Sequence, residues 1–118
     1  LFMIEKFGIG IDIVNVDRFS LKKYSENKKF YSKIFTNNEI NYCIKFKEPY
    51  THFAGKFALK EAVIKAINKK ISLLDIETFH KNNIPQVKLK NEAHYSSISS
   101  ISHENNVAVA VFLIELYV

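Results

Sequence analysis

A disulfide framework is excluded at the outset, because the chain holds a single cysteine, Cys43. One thiol in 118 residues fits a reducing, intracellular compartment. Cys43 falls in a helical apolar pattern, which points to an inert structural thiol rather than a nucleophile. No apolar run reaches membrane-spanning length and no secretory signal is visible, so a soluble protein without a membrane partner is expected. Bacterial cytoplasm and the stroma of a plastid or apicoplast-type organelle both remain open. Arginine is almost missing: 16 of the 17 basic residues are lysine, and Arg18 is the exception. Acidic residues number 12, leaving a net charge of +5. That excess asks for an anionic partner without choosing among phosphate ligand, acidic protein, nucleic acid and membrane surface. Aromatic residues are plentiful, with ten Phe and six Tyr, and 47% of residues are hydrophobic. This is the composition of a folded chain, and its length predicts one domain over residues 1–118.

The order of patterns predicts an α+β fold. "FGIGIDIV" alternates as a strand, with Phe7, Ile9, Ile11 and Ile13 on one face and Gly8, Gly10 and Asp12 on the other. Polar helical patterns follow from Phe19 to Tyr31. "TNNEINYCIKF" carries a capping box, Thr36 with Glu39 three residues on, ahead of an apolar helical face. Pro49 resets the chain, and a long helix is expected from about Thr51 to Ile67. Beyond Lys70 the texture becomes β: "SLLDIETFH" as one strand, "KNNIP" as a turn, "QVKLK" as a half-exposed strand. "SSISSISH" and "NVAVAVFLIEL" pair around Glu104-Asn105-Asn106. The last run is apolar on both faces, so a central, buried strand is predicted. These strands together read as an antiparallel meander.

Four features depart from a plain core-and-surface pattern. Asp12 puts a carboxylate beside two glycines, where it needs a cation, a metal or several backbone donors. On the long helix, Ala54, Ala58, Glu61 and Lys65 share one face that is small and charged. A stabilising Glu61–Lys65 pair at i, i+4 is the plain account of the last two. Lys56 and Lys60 lie one turn apart on an adjacent face. Lysines around two acids suit a divalent cation with a polyphosphate, since Mg²⁺ needs only one or two protein carboxylates. His103 closes a strand and reads either as structural or, with Ser100 and Ser102, as a donor to an anion. His52, His80 and His94 show no ligand spacing, so zinc is not expected. No Walker loop, nucleophile elbow or dinucleotide fingerprint is present.

Three segments appear in order: "GIGIDIVNVDRF", "FAGKFALKEAVIKA" and "SISHENNVAVAV". Together they resemble holo-[acyl-carrier-protein] synthase, the small single-domain type of 4′-phosphopantetheinyl transferase, from Phe7 to Glu115. The resemblance implies the 4′-phosphopantetheinyl transferase-like fold: an N-terminal strand, helices with one long central helix, then antiparallel strands. It implies transfer of phosphopantetheine from coenzyme A to a serine of apo acyl carrier protein, in support of fatty acid biosynthesis. Adenosine 3′,5′-bisphosphate would be released. Asp12 and Glu61 would bind Mg²⁺ and, with Lys65, form the catalytic set. Lys56, Lys60, Lys65, Ser102 and His103 would bind coenzyme A. Arg18, extended by Lys22, would dock the acidic carrier protein. A homotrimer with intersubunit active sites is also implied.

Two turns depart from the family's pattern. Asn68-Lys69-Lys70 stands where a Gly-rich turn usually follows the long helix, and Asn83-Ile84-Pro85 where Gly and a basic residue usually precede Pro. Two rival readings remain open. A basic nucleic-acid-binding domain would explain the charge but gives Asp12 and Glu61 no task. A catalytically inactive relative that still binds coenzyme A or a carrier protein would explain the altered turns.

Overall fold

Phe7–Asn15 forms strand β1, as its alternation predicts. Residues 7–92 and 94–117 are described by the structure, a computed structural model. Short helices α1 (Asp17–Ser20) and α2 (Lys28–Ser32) follow, separated by a 3₁₀ turn at Tyr24–Glu26. Helix α3 (Asn37–Ile44) starts at the expected capping box: the Thr36 hydroxyl accepts from the Glu39 amide and Glu39 accepts from the Thr36 amide. Helix α4 spans Pro49–Ile67, two residues earlier than expected. Proline suits that first position because its missing N–H would have no helical partner there. The helix stops where Asn68 turns left-handed, at φ 57° and ψ 39°, and its amide caps the Ile64 carbonyl.

The β half is two units rather than one meander. Strands β2 (Ile76–Lys81) and β3 (Ile84–Leu89) form a separate hairpin. Its two-residue turn has Asn82 and Asn83 at φ 52° and 64°, the geometry that matches the twist of the strands. Strands β4 (Tyr95–Glu104) and β5 (Val107–Leu116) join β1 in an antiparallel sheet ordered β1-β5-β4. The segment "SLLD" is a 3₁₀ turn, Leu73–Asp75, instead of the start of a strand. Its Leu73 carbonyl accepts from the Lys60 ammonium, which takes that acceptor away from any ladder.

Helix α4 lies across the inner face of the sheet. Ala54, Ala58, Leu59, Ala62 and Val63 of α4 and Ala108, Ala110, Phe112 and Ile114 of β5 are all buried in one core. A second cluster is aromatic. Tyr31 and Phe53 have ring centroids 4.7 Å apart, Phe35 and Phe53 5.0 Å, Phe19 and Phe57 5.6 Å. It pins α1 and α2 against α4 and so fixes where Arg18 stands. The Tyr31 hydroxyl sits 2.9 Å from the Phe19 carbonyl and 2.7 Å from that of Lys22, tying the loop between them.

Strand β5 is central, as its sequence predicts, but only one of its faces is covered. Val107, Val109, Val111 and Leu113 point outward beside Ile9, Ile11 and Ile13 of β1 and Ile98 of β4. Ile9 is 67% exposed and Ile98 69%. An apolar sheet face of this extent is unusual on an isolated chain.

Candidate active site

Two glycines set the geometry of the first cluster. A Cβ built on Gly10 would lie 1.8 Å from the Ala62 carbonyl oxygen, and one on Gly8 2.1 Å from that of Ala66. Backbone therefore meets backbone where α4 crosses β1. The seam runs through Ala62 and Ala66, one step round from the Ala54–Ala58–Glu61–Lys65 face that the sequence singled out. Asp12 lies further along β1 on the same side of the sheet, opposite Ala110. The Lys65 ammonium reaches it, 3.0 Å from Asp12 Oδ1, and also donates to the Ile11 carbonyl at 3.0 Å. Lys65 is thus engaged with Asp12, and among the described residues no ion pair joins it to Glu61.

Glu61 sits one turn before Lys65 and opens into a groove of about 640 Å³. Arg18, Lys22, Phe57 and Phe30 also line that groove. The Arg18 guanidinium rests 5.1 Å from the centroid of the Phe57 ring, and the Lys22 ammonium 4.3 Å from that of Phe30. Each cation is held over an aromatic face, where the ring quadrupole favours it. Glu61, expected as a metal ligand, and Arg18 and Lys22, expected to dock the carrier protein, line the same groove.

Lys56 and Lys60 do not behave alike. Lys60 is fully buried, its Nζ 2.7 Å from Glu39 Oε1 and bonded to the carbonyls of Ile34 and Leu73 at 2.8 and 2.9 Å. Every donor of that ammonium has a protein acceptor, so Lys60 serves as a strut in the core, and the phosphate contact expected of it would have to displace one of these bonds. Glu39 is equally committed. Oε1 also accepts from the Thr36 amide, and Oε2 from the Thr78 amide and hydroxyl at 2.7 and 2.5 Å. One carboxylate thereby joins α3, α4 and β2. The sequence marks Glu39 as a cap and gives no sign of this second duty.

Lys56 is also buried, but it borders a cavity of about 170 Å³ together with His52, His80, His103, Asn83 and Tyr42. Its Nζ donates to the Thr78 carbonyl at 3.0 Å and hydroxyl at 3.2 Å. His52 and His80 were not expected here; their separation in the sequence, 28 residues, hides a meeting that only the β2–α4 contact creates. His103 reaches the cavity from the end of β4, whereas Ser102 belongs to the outer face of the sheet, opposite Val109. Asp12 and Ser102 therefore lie on opposite faces. Along α4, Lys56 and Glu61 are separated by about 140° of turn and roughly 7.5 Å of rise. They open into different cavities.

The donor set decides which metal could fit. Among the described residues no three His, Cys, Asp or Glu side chains converge on one point. Asp12 already holds a cation, the Lys65 ammonium, so positive charge is accommodated there. Two carboxylates with no third ligand suit a metal that brings phosphate and water oxygens with it, and no other kind.

Carboxylates and lysines beside a basic groove are the equipment of phosphoryl-group transfer, in which positioning and charge neutralisation do most of the work. Within that class the chain belongs to the 4′-phosphopantetheinyl transferase superfamily, whose sequence profile matches residues 8–112. It is 43% identical to the holo-[acyl-carrier-protein] synthase of Thermodesulfovibrio yellowstonii over 117 residues, 95% of this chain and 99% of the relative. The holo-(acyl-carrier-protein) synthase of Bacillus anthracis, solved in complex with CoA (3′,5′-ADP), superposes with a TM-score of 0.79 at 32% identity. That match covers 93% of this chain and 96% of the other. The Helicobacter pylori enzyme in complex with coenzyme A gives 0.77 at 34% identity, covering 91% and 99%. The fold is therefore the α+β fold of these synthases. Among the described residues no helix is long and apolar enough to cross a membrane.

Proposed function

We propose that this protein transfers the 4′-phosphopantetheine arm of coenzyme A to a serine hydroxyl of an apo acyl carrier protein. The serine oxygen bonds to the phosphorus that carries the pantetheine arm. The bond from that phosphorus to the bridging oxygen breaks, and adenosine 3′,5′-bisphosphate leaves. The reading rests above all on the meeting of Lys65 with Asp12 at the glycine seam, with Glu61 one turn away facing a basic groove. Asp12 and Glu61 are the residues that would hold Mg²⁺, which when bound neutralises charge developing on the phosphates. Lys65 adds a fixed positive charge at the same seam. Glu61 faces the groove by which the serine arrives, and the hydroxyl proton passes to it or to a water that it orders. Arg18 and Lys22 dock the acidic carrier protein, steering it by charge. The product would serve fatty acid biosynthesis.

Lys56 supplies charge, and His103 a ring-nitrogen contact, for a phosphate of coenzyme A. They open on a different cavity from Glu61, and Ser102 lies on the far face of the sheet. A ligand touching all of them spans more than one chain, which supports a homotrimer with sites between subunits. The uncovered apolar sheet face is the surface such an assembly would bury. Mass spectrometry of an apo acyl carrier protein incubated with this protein, coenzyme A and Mg²⁺ tests the reading. A gain of one phosphopantetheine, abolished by EDTA and by Glu61→Gln, is expected. No gain with any of several carriers, despite measurable coenzyme A binding, would refute transfer and leave a binding protein.

A further inference from the structure

Among the described residues two lysine ammonium groups are buried, and their surroundings differ in one respect. Lys60 faces the Glu39 carboxylate at 2.7 Å. Lys56, 2% exposed, makes no ion pair among the described residues. It has only the two Thr78 oxygens and the ring of Tyr42, 4.6 Å from Nζ to the centroid. A buried charge without a counter-charge is costly, and an anion beside it would relieve that cost. The adjoining cavity, about 170 Å³, is too small for a whole nucleotide and large enough for one anionic group.

What else surrounds that cavity is unusual. The imidazole of His80 stacks flat on Tyr42, centroids 4.9 Å apart and planes 7° from parallel. His52 stacks on Phe46 at 3.8 Å and 17°. The Nδ1 atom of His80 is buried with no hydrogen-bond partner. Stacking, rather than a carboxylate, holds both rings. Helix α3 faces them with Tyr42 and the Lys45 ammonium, 4.7 Å from the Tyr42 centroid and 5.7 Å from that of Phe46. Helix α4 contributes Lys56, β4 contributes His103, and the β2–β3 hairpin contributes the neutral Asn83 and Pro85. Glu39 and Cys43 lie behind Lys56. Glu39 is occupied by Lys60 and Thr78, and burial pushes the Cys43 thiol up to about 12, so it stays neutral. Burial, then the positive charge of Lys56 and its neighbours, holds the titration of His80 below its ordinary value; burial and then His103 and Lys56 do the same for His52. With the cavity empty, both imidazoles are neutral at neutral pH. An oxyanion entering beside Lys56 reverses the sign of the local field.

We propose that this cavity is a proton-linked phosphate site, in which His52 and His80 each accept a proton from solvent as a phosphate group enters beside Lys56. The identity of the phosphate's carrier, coenzyme A, rests on the transferase reading; the linkage itself rests on the cavity. Each proton taken up makes binding about tenfold tighter per pH unit lowered, across the interval between the free and bound titrations. The site thus grips its phosphate harder in mildly acidic surroundings and releases it as pH rises.

The test is calorimetry in two buffers of different ionisation heat at about pH 7, which counts protons gained on binding. Adenosine 3′,5′-bisphosphate and sulfate are the probes, sulfate because its own charge is constant across this range. The double variant His52→Phe/His80→Phe keeps both ring stacks and removes both proton acceptors. The wild-type protein is expected to gain about one to two protons more than the variant with either probe. Its sulfate affinity is expected to fall about ten- to a hundredfold per unit between about pH 6 and 7.5, one factor of ten for each proton, while the variant stays flat. Equal proton uptake in both proteins, or no binding of either probe, overturns the proposal. NMR titration of the histidine ring protons in the wild-type protein decides the matter without a variant: sulfate must raise the His52 and His80 midpoints. Proton-linked binding of both probes without transfer to any carrier would sink the transferase reading and leave this site standing. Normal transfer with unlinked binding would do the reverse.

Discussion

Replacing Gly10 by alanine tests how the helix–strand seam governs the site. The new Cβ would start 1.8 Å from the Ala62 carbonyl oxygen, 2.7 Å from its carbon and 2.9 Å from the Ala66 nitrogen. All three are backbone atoms of one helix, so no rotamer change relieves the clash. Helix α4 must retreat by roughly 1 Å or more, and overpacking of this kind costs about 1–3 kcal/mol. A backbone clash belongs at the upper end, near ~3 kcal/mol, which lowers the melting temperature by roughly 10 °C. The retreat also carries Lys65 and Glu61 away from Asp12, and a misplacement near 1 Å can cost about 10²-fold in rate. Urea unfolding and carrier-protein modification, the latter assayed well below the melting transition, would read the two effects separately. Gly55→Ala is the control: its Cβ meets only the Ile101 side chain, at 3.1 Å, and gains helix propensity of about 1 kcal/mol. Its stability should stay within ~1 kcal/mol of the parent. A Gly10→Ala protein of unchanged stability and unchanged rate would refute the claim that this contact positions the site.

Lys60→Met should destabilise the fold by about 3–5 kcal/mol in urea unfolding, because it strands the Glu39 carboxylate in the core; adding Glu39→Leu should recover part of that loss. Asp12→Asn and Glu61→Gln should abolish phosphopantetheine transfer while shifting unfolding midpoints little, since Asp12 pairs with a lysine that is largely solvent-exposed. Depressed titration of His52 and His80 means that the unfolded chain binds more protons than the folded one below pH 6.5. Stability without ligand should therefore fall as pH drops through that value, and His52→Phe/His80→Phe should flatten the slope in a pH series of thermal melts. Tyr31→Phe removes the hydroxyl that donates to the Phe19 and Lys22 carbonyls; the Phe19 carbonyl keeps the Lys22 amide, so the change should cost about 0.5–1.5 kcal/mol in urea unfolding.

Local signals carry much of the architecture in readable form. The Thr36–Glu39 capping box and the alternation of β1 each act within a few residues, and both elements stand where those signals put them, while α4 begins at Pro49, two residues before its expected start. Asp12 and Lys65 stand out because a charge among glycines and alanines conflicts with ordinary packing, but the sequence offers Glu61 as the plain partner of Lys65, whereas the structure pairs it with Asp12. What escapes is set by tertiary contact. Nothing near Glu39 announces Lys60 or Thr78, so two lysines four residues apart look equivalent when one is a core strut and the other borders a cavity. His52 and His80 have no motif in common and meet only across folded elements. The second apolar face of β5 reads in sequence as burial within the chain, yet it stands uncovered.

Glycine is needed in proteins for two different reasons, angle and space, and this chain separates them. All four left-handed backbone positions among the described residues, Asn68, Asn82, Asn83 and Asn105, are asparagine, and no glycine there has positive φ. Gly8 and Gly10 stand where a side chain would collide with helix backbone, and Gly55 where one would press on the Ile101 side chain. Angle is thus delegated to a residue whose amide tolerates it, and glycine is kept for room alone. The turns after α4 and before β3 consequently keep their bends without the residue by which such bends are usually sought. Mutational tolerance should divide along the same line. Asn→Gly at any of the four turns should leave the fold intact, whereas Gly8 and Gly10 accept nothing larger without moving the helix that carries Glu61 and Lys65.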